Sequence, residues 1–329
     1  MAVSQNRVLV TGAGGFIGSH LVEHLVRRGD VVRCFVRYNS RGDYGHLDLL
    51  PKDIQGHLEI LQGDLRDPDA VTKATTGVSI VYHLGAIIPI PYSYIHPREV
   101  IETNVMGTLN VLTAARDHEN IRVVHTSTSE VYGTAQYTPI NEEHPLQGQS
   151  PYAASKIAAD KIAESFYLSY ELPTVTVRPF NTFGPRQSTR AILPTLITQA
   201  LTQDRVLVGE LTTTRDFNYI ENLAEAFVLA GRCDEAIGQV LNIGTGYEIS
   251  IGDILQRIIQ WIGKDISVEH DPKRFRPPKS EVRQLIADAR KAEHILGWKP
   301  RIPLEEGLDR TIEWMTEHID QYIPERYHV

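Results

Sequence analysis

Tyr152 and Lys156 fall four residues apart in the stretch SPYAASK. Four residues is about one helical turn, so on a helix both side chains leave the same face. A lysine ammonium there favours the tyrosinate, lowers the phenol pKa and readies Tyr152 to exchange a proton with a hydroxyl near neutral pH. The same pair on an amphipathic helix is more often plain surface, so the reading depends on what accompanies it. Upstream, residues 126–133 read TSTSEVYG, directly after the apolar run 121–124. A solvated charge is out of place at the end of a buried strand. Glu130 is therefore a candidate site carboxylate, the alternative being a turn cap or the partner of an arginine.

A third feature supplies the company. In VLVTGAGGFIG, Gly12, Gly15 and Gly18 bracket Phe16 and Ile17 between a first strand and a first helix. Glycines there let the backbone turn tightly and approach a pyrophosphate, which rests at the positive end of the helix. An acid about 20 positions further on usually receives the ribose 2′-hydroxyl of NAD. Here the second strand runs into Arg37, Tyr38, Asn39 and Ser40, with no acid. Arg37 either faces a 2′-phosphate, favouring NADP, or is a solvated arginine that leaves NAD open. Asp64 and Leu65 follow the third strand on the adenine side, and Leu84 and Ala86 follow the fourth on the nicotinamide side. Pro179 closes the same pocket. His20 and His24 have the four-residue spacing of a zinc pair, yet no third ligand is evident, so a solvated helix face and no metal are expected.

These residues need a scaffold, and the hydrophobic pattern describes one. Short apolar runs at 7–10, 31–36, 58–61, 80–84, 121–125 and 174–178 alternate with helix-like stretches at 15–28, 67–75, 97–118 and 151–170. Strict alternation implies a parallel sheet covered on both faces, because parallel neighbours need crossover connections. The expected fold is α/β, a doubly wound Rossmann sheet over 1–178 with a returning segment at about 215–245. The rest of 179–329 reads as a smaller substrate lobe, its elements broken by Pro179, Pro185 and Pro194. Helices are expected at 250–261, where Ser250 and Asp253 form a capping-box-like start, and at 303–318. Residues 88–94, IPIPYSY, read as a loop over the pocket.

Composition narrows the classes. Of 329 residues, 42% are hydrophobic and 22% charged, which is ordinary for a globular chain. A net charge of −8 argues against nucleic acid or an acidic membrane as partner. No apolar run has the ~20 residues of a membrane span, and no signal peptide is evident, so a cytoplasmic location is expected. Cys34 and Cys233 are read as buried reduced thiols.

Six motifs in order, TSTSEVYG, SPYAASK, RPFNTFGPRQS, TRDFNYIENLAEAF, LNIGTGYEIS and RPPKSEVRQL, resemble the nucleotide-sugar 4,6-dehydratases among the extended short-chain dehydrogenase/reductases. The likeness spans nearly the whole chain. It is closest to enzymes acting on N-acetylglucosamine nucleotides in nonulosonic-acid pathways, and more distant to GDP-mannose 4,6-dehydratase. The resemblance implies a tightly bound, recycled NAD(P) and a UDP- or GDP-sugar as partner. Thr128 would bond the 4-hydroxyl, Tyr152 take its proton, and Glu130 remove the C5 proton as water leaves C6. Ser129 stands where dTDP-glucose dehydratases carry an acidic Asp, which suggests that Glu130 serves as both base and acid. Ile88, Asn181, Arg186, Arg190, Arg215, Arg276 and Glu281 would surround the sugar, diphosphate and base. A homodimer is expected through the helices 97–118 and 151–170, with Val100, Asn104, Thr108 and Leu112 on one face and Ala154, Ile157, Ala158 and Lys161 on the other. UDP-glucuronate decarboxylases, for which Arg215 is the catalytic arginine, and 4-epimerases are the rival enzymes. A cofactor-binding sensor is the non-enzymatic rival, and such proteins typically lose the Tyr or the Lys.

Overall fold

The computed structural model describes residues 6–118, 121–274, 282 and 284–322. Seven parallel strands form the main sheet: β1 (Arg7–Thr11), β2 (Val31–Val36), β3 (Leu58–Gln62), β4 (Ile80–His83), β5 (Arg122–Thr126), β6 (Thr174–Pro179) and β7 (Val240–Ile243). Their spatial order is β7-β6-β5-β4-β1-β2-β3. After β3 the chain crosses back to lay β4 on the other side of β1. That reversal opens a crevice at the carboxyl ends of β1 and β4, where ligands of doubly wound sheets bind.

Side-chain alternation along each strand feeds two cores. Val8 and Val10 of β1 join Val32, Cys34 and Tyr82 under the helices Phe16–Arg27 and Ile220–Arg232. Leu9 points the other way and joins Phe35, Val81 and Val123 under Pro68–Thr75, Gly107–Asp117 and Pro151–Tyr170. A third core, with Phe183, Leu196, Ile254, Ile258 and Ile312, unites the helices Ile192–Thr202, Ile251–Ile262 and Leu304–Glu317. Ser250 caps the second of these, its Oγ accepting from the Asp253 amide at 2.9 Å.

Three local expectations differ from the structure. Residues Ile90–Ile95 form a helix, not a loop, because a proline in the first helical turn has no hydrogen bond to lose. Pro194 likewise lies in the first turn of Ile192–Thr202 and starts that element instead of breaking it. The stretch 97–118 is helical but is interrupted by a π turn at Glu102–Met106. That turn carries buried Asn104, which bonds both the amide and the carbonyl of Ile87 and donates to Ser155 Oγ at 3.0 Å.

The face proposed for dimer contact on that helix is also corrected. Val100, Asn104, Thr108 and Leu112 are interior, at most 1% exposed, because they pack towards the sheet and the helix Pro151–Tyr170. Cys34 is buried as expected, whereas Cys233 is only partly so.

Candidate active site

A cavity of about 500 Å³ occupies the crevice. Gly12 turns with φ +68°, and a Cβ there would lie 2.8 Å from the Gly85 backbone. A Cβ on Gly18 would lie 2.2 Å from the Gly12 carbonyl oxygen, so only glycine lets the first helix start this close to the turn. No side chain caps that helix at Gly15, which leaves its first amides to an anion. Gly12, Gly15, Phe16, Ile17, Gly18, Arg37, Asn39, Leu84, Ala86 and Pro179 all line the cavity. Three buried polar atoms around it, Thr126 Oγ1, Asn181 Oδ1 and Gln187 Oε1, have no hydrogen-bond partner among the described residues. Such orphans demand a partner, and a polar ligand supplies one. The cradle and these atoms fit a dinucleotide.

Ser40, Asp64 and Leu65 do not line the cavity; Asp64 is engaged by Arg66 at 2.7 and 2.9 Å, and Leu65 is buried. Arg37 lines the cavity but is not free: its guanidinium lies 3.7 Å from Glu99, whose other oxygen accepts from Tyr92 at 2.5 Å. Sequence reasoning missed Asp43, which lines the cavity beyond Asn39 and pairs with Arg41 at 2.9 Å. The search for an acid stopped at the strand end, and this one lies further along the loop.

The chemical end of the cavity brings together Thr128, Ser129, Glu130, Tyr152 and Lys156. Ser150 Oγ caps the Tyr-Lys helix at the Ala153 amide, 3.1 Å away, with Pro151 in its first turn. Tyr152 is 8% and Lys156 4% exposed. Burial raises the Tyr152 phenol well above its ordinary range, against a lowering hydrogen bond from Thr128, and the Glu130 and Asp160 charges raise it further. The expected lowering by Lys156 does not prevail. The same burial pulls Lys156 down to about 8, opposed by the charge of Asp160.

Thr128, not Glu130, caps the short turn Ser129–Tyr132, accepting from the Glu130 amide at 3.2 Å. Among the described residues, no hydrogen bond or salt bridge holds the Glu130 carboxylate. Neither bland account of this residue, a cap or an arginine partner, fits.

The remaining candidates divide. Ile88 and Asn181 line the cavity. Arg186, with φ +68°, turns to the opposite side, where Nη2 meets Glu23 and His20, each at 2.9 Å. That contact makes His20 a buried residue, 6% exposed, and corrects the expectation of a solvated histidine face. Arg190 is exposed, and Arg215 is buried with Nη1 on the Thr214 carbonyl. Arg276 and Glu281 lie outside the described residues. No cluster of three or more metal-binding side chains occurs among the described residues.

The family model for GDP-mannose 4,6 dehydratase matches residues 9–311. The chain belongs to that family of nucleotide-sugar 4,6-dehydratases. It is thus an NAD(P)-dependent enzyme of the extended short-chain dehydrogenase/reductase type. Human dTDP-D-glucose 4,6-dehydratase is 30% identical over 96% of this chain and 91% of its own. A UDP-glucose 4-epimerase of Mycolicibacterium smegmatis is 33% identical over 94% and 98%. The UDP-N-acetyl-alpha-D-glucosaminuronate decarboxylase of Bacillus cytotoxicus is 32% identical over 95% and 98%. Among solved structures, the dTDP-glucose 4,6-dehydratase DesIV of Streptomyces venezuelae, crystallised with NAD, matches with a TM-score of 0.87 at 29% identity, covering 97% of this chain and 99% of that one.

The buried lysine makes a testable pH signature. Its folded pKa, about 8, is below the unfolded value of 10.5, so below pH 8 the charged form carries the full burial penalty. Between those values the unfolded chain holds a proton that the native one has shed, and stability from this group rises with pH. Lys156→Met should therefore be more stable than the parent at pH 7, by up to roughly 3 kcal/mol at 1.36 kcal/mol per pKa unit. The advantage should shrink towards pH 10. Urea titrations at both pH values measure it; an advantage that does not change with pH would contradict the assignment.

Proposed function

We propose that the enzyme is a nucleotide-sugar 4,6-dehydratase that converts a UDP- or GDP-linked N-acetylglucosamine to its 4-keto-6-deoxy form. The observation that carries this reading is the Glu130 carboxylate, unpaired among the described residues, beside Tyr152, Thr128 and Lys156. A C4 epimerase has no use for a base at C5. A decarboxylase is the second reading, since such enzymes share the Ser-Glu pair, but their Tyr-x-x-x-Lys stretch differs from PYAASK.

The glycine turn and the cavity beside it would hold NAD(P), which when bound would supply a hydride acceptor for C4 and a hydride donor for C6. Tyr152 accepts the 4-hydroxyl proton as the tyrosinate, the form that Thr128 and the Lys156 ammonium would hold once the phenol's own proton has left to solvent. The 4-ketone then acidifies the C5 hydrogen, and Glu130 removes it. With Ser129 in place of an acid, the protonated Glu130 also hands a proton to the departing 6-hydroxyl and, once reprotonated from solvent, gives one back to C5 as hydride reaches C6. Asn181 and Ile88 line the sugar side, and Arg190, Arg215, Arg276, Glu281 and Arg186 remain candidates for the nucleotide end. For Arg186 this requires release from Glu23.

For the cofactor we favour NADP. An exposed pair at 3.7 Å is worth ~0–1 kcal/mol, which a 2′-phosphate would outbid for Arg37. A homodimer also fits: Ile101, Met106 and Leu168, on the two outer helices, are 47%, 47% and 71% exposed, an apolar surface suited to a twofold mate. We place the enzyme in the cytoplasm; no helix among the described residues is long and apolar enough to cross a membrane.

Glu130→Gln keeps size and hydrogen bonding but removes the base, so turnover to the 4-keto product should fall by ~10² or more while cofactor and substrate still bind. Undiminished turnover would take Glu130 out of the mechanism. Arg37→Asp should shift the ratio of NADP to NAD affinity towards NAD by ~10-fold or more, on the scale of a charge-assisted pair; an unchanged ratio in fluorescence titrations would leave Arg37 without that role. Light scattering should give twice the chain mass, and a monomer would exclude the dimer.

A further inference from the structure

Beneath the active site runs a chain of buried polar groups that the proposed chemistry does not use. Asp160, one turn beyond Lys156, is 4% exposed and accepts four hydrogen bonds or ion-pair contacts. Its Oδ1 meets His125 Nε2 at 3.0 Å; its Oδ2 accepts from Ser127 Oγ at 2.8 Å and from Arg178 Nε and Nη2 at 3.1 and 2.9 Å. Arg178, also 4% exposed, donates from Nη1 to the Tyr132 hydroxyl at 2.9 Å and lies over its ring at 5.1 Å. Tyr132 in turn donates to Asn242 Oδ1 at 2.6 Å. Asn242, on β7, donates from its side-chain amide to the Ile140 carbonyl at 3.0 Å and from its backbone amide to Glu142 Oε1 at 2.8 Å.

The order of attachment along the chain matters. Ser127 immediately precedes Thr128, and Tyr132 is two residues after Glu130, so the two anchors flank the turn that carries the chemistry. Both lead to Asp160, on the helix that carries Tyr152 and Lys156. Among the described residues the Glu130 carboxylate has no hydrogen bond or salt bridge, so its backbone turn sets the origin from which it reaches into the cavity. A buried ion pair is a poor device for stability, since apolar replacements often serve as well. What this one does supply is direction. We propose that Asp160, Arg178 and Tyr132 are positioning residues: a buried clamp that sets the Thr128-Ser129-Glu130 turn against Tyr152 and Lys156. The proposal rests on the reading of Glu130 as the C5 base.

Removing an anchor should therefore separate the two halves of the reaction. Tyr132→Phe keeps the ring but cuts the tie between Arg178 and Asn242, and Ser127→Ala cuts the tie on the other side of the turn. Misplacing a catalytic group by about 1 Å can cost ~10²-fold. In single turnovers with excess holoenzyme, each variant should slow uptake of the C4 hydrogen, to which Thr128 contributes and which is read as reduced-cofactor absorbance, several-fold less than it slows loss of water. Loss of water, read as the 6-deoxy product, should slow ~10-fold or more, so that reduced cofactor accumulates. Both halves slowing equally in both variants, or neither slowing, would overturn the clamp. Crystal structures of the variant holoenzymes judge it independently of the reaction: the turn Ser129–Tyr132 should shift by about 1 Å against an unmoved Tyr152, and an unmoved turn would refute it. A parent enzyme that takes up hydrogen but never releases water would instead refute the dehydratase reading, leaving the clamp to be decided by that displacement.

Discussion

A single carboxylate, Asp160, lets two cations exist in the interior of this protein. Lys156 and Arg178 are each 4% exposed, and an isolated charge at that depth costs several kcal/mol. The Asp160 charge offsets part of that cost for both, and Lys156 keeps its proton below about pH 8 despite its burial. In the proposed chemistry a charged Lys156 helps hold the Tyr152 oxygen as its anion. The oxidation chemistry of the site thus depends on an acid that lines no part of the cavity.

Topology makes that arrangement available. The crossing from β3 back to β4 opens the crevice, the glycine turn after β1 brings the first helix to its edge, and β5 and β6 deliver Thr126–Glu130 and Pro179 to the other side. The helix Pro151–Tyr170 lies across β5 and β6 and presents successive turns to successive tasks: Tyr152 to the cavity, Lys156 beneath it, Asp160 to the strands. Its spacing of four places all three on one face. The orphaned atoms of Thr126, Asn181 and Gln187 add unpartnered polar groups to a cavity lined elsewhere by the glycine turn, Arg37, Asn39 and Asp43.

What the chain announces most clearly is whatever depends on local spacing. The six strands of the first half, the helix 151–170 and the glycine turn are legible because apolar period and turn chemistry act over a few residues. Tyr152, Lys156 and Glu130 were legible for the same reason. The helix Ile90–Ile95 was not, because prolines signal a break equally well at the start of a helix and in a loop. Burial reversed two readings that spacing alone suggested: the phenol of Tyr152 is raised, not lowered, and His20 is sealed against Arg186, not solvated. The link between Asp160 and Arg178 spans 18 residues and that between Tyr132 and Asn242 spans 110, distances at which a sequence gives no local sign of contact.

In the proposed reaction one hydrogen leaves C4 and arrives at C6 of the same sugar, with Glu130 managing the proton at C5 between. A nucleotide-linked N-acetylglucosamine carrying deuterium at C4 tests it directly, with the product followed by mass spectrometry and NMR in ordinary water. The label should appear in the C6 methyl group of a 4-keto product that has lost one water. Label returned to C4 with no loss of water, on a substrate that is turned over, would contradict the account.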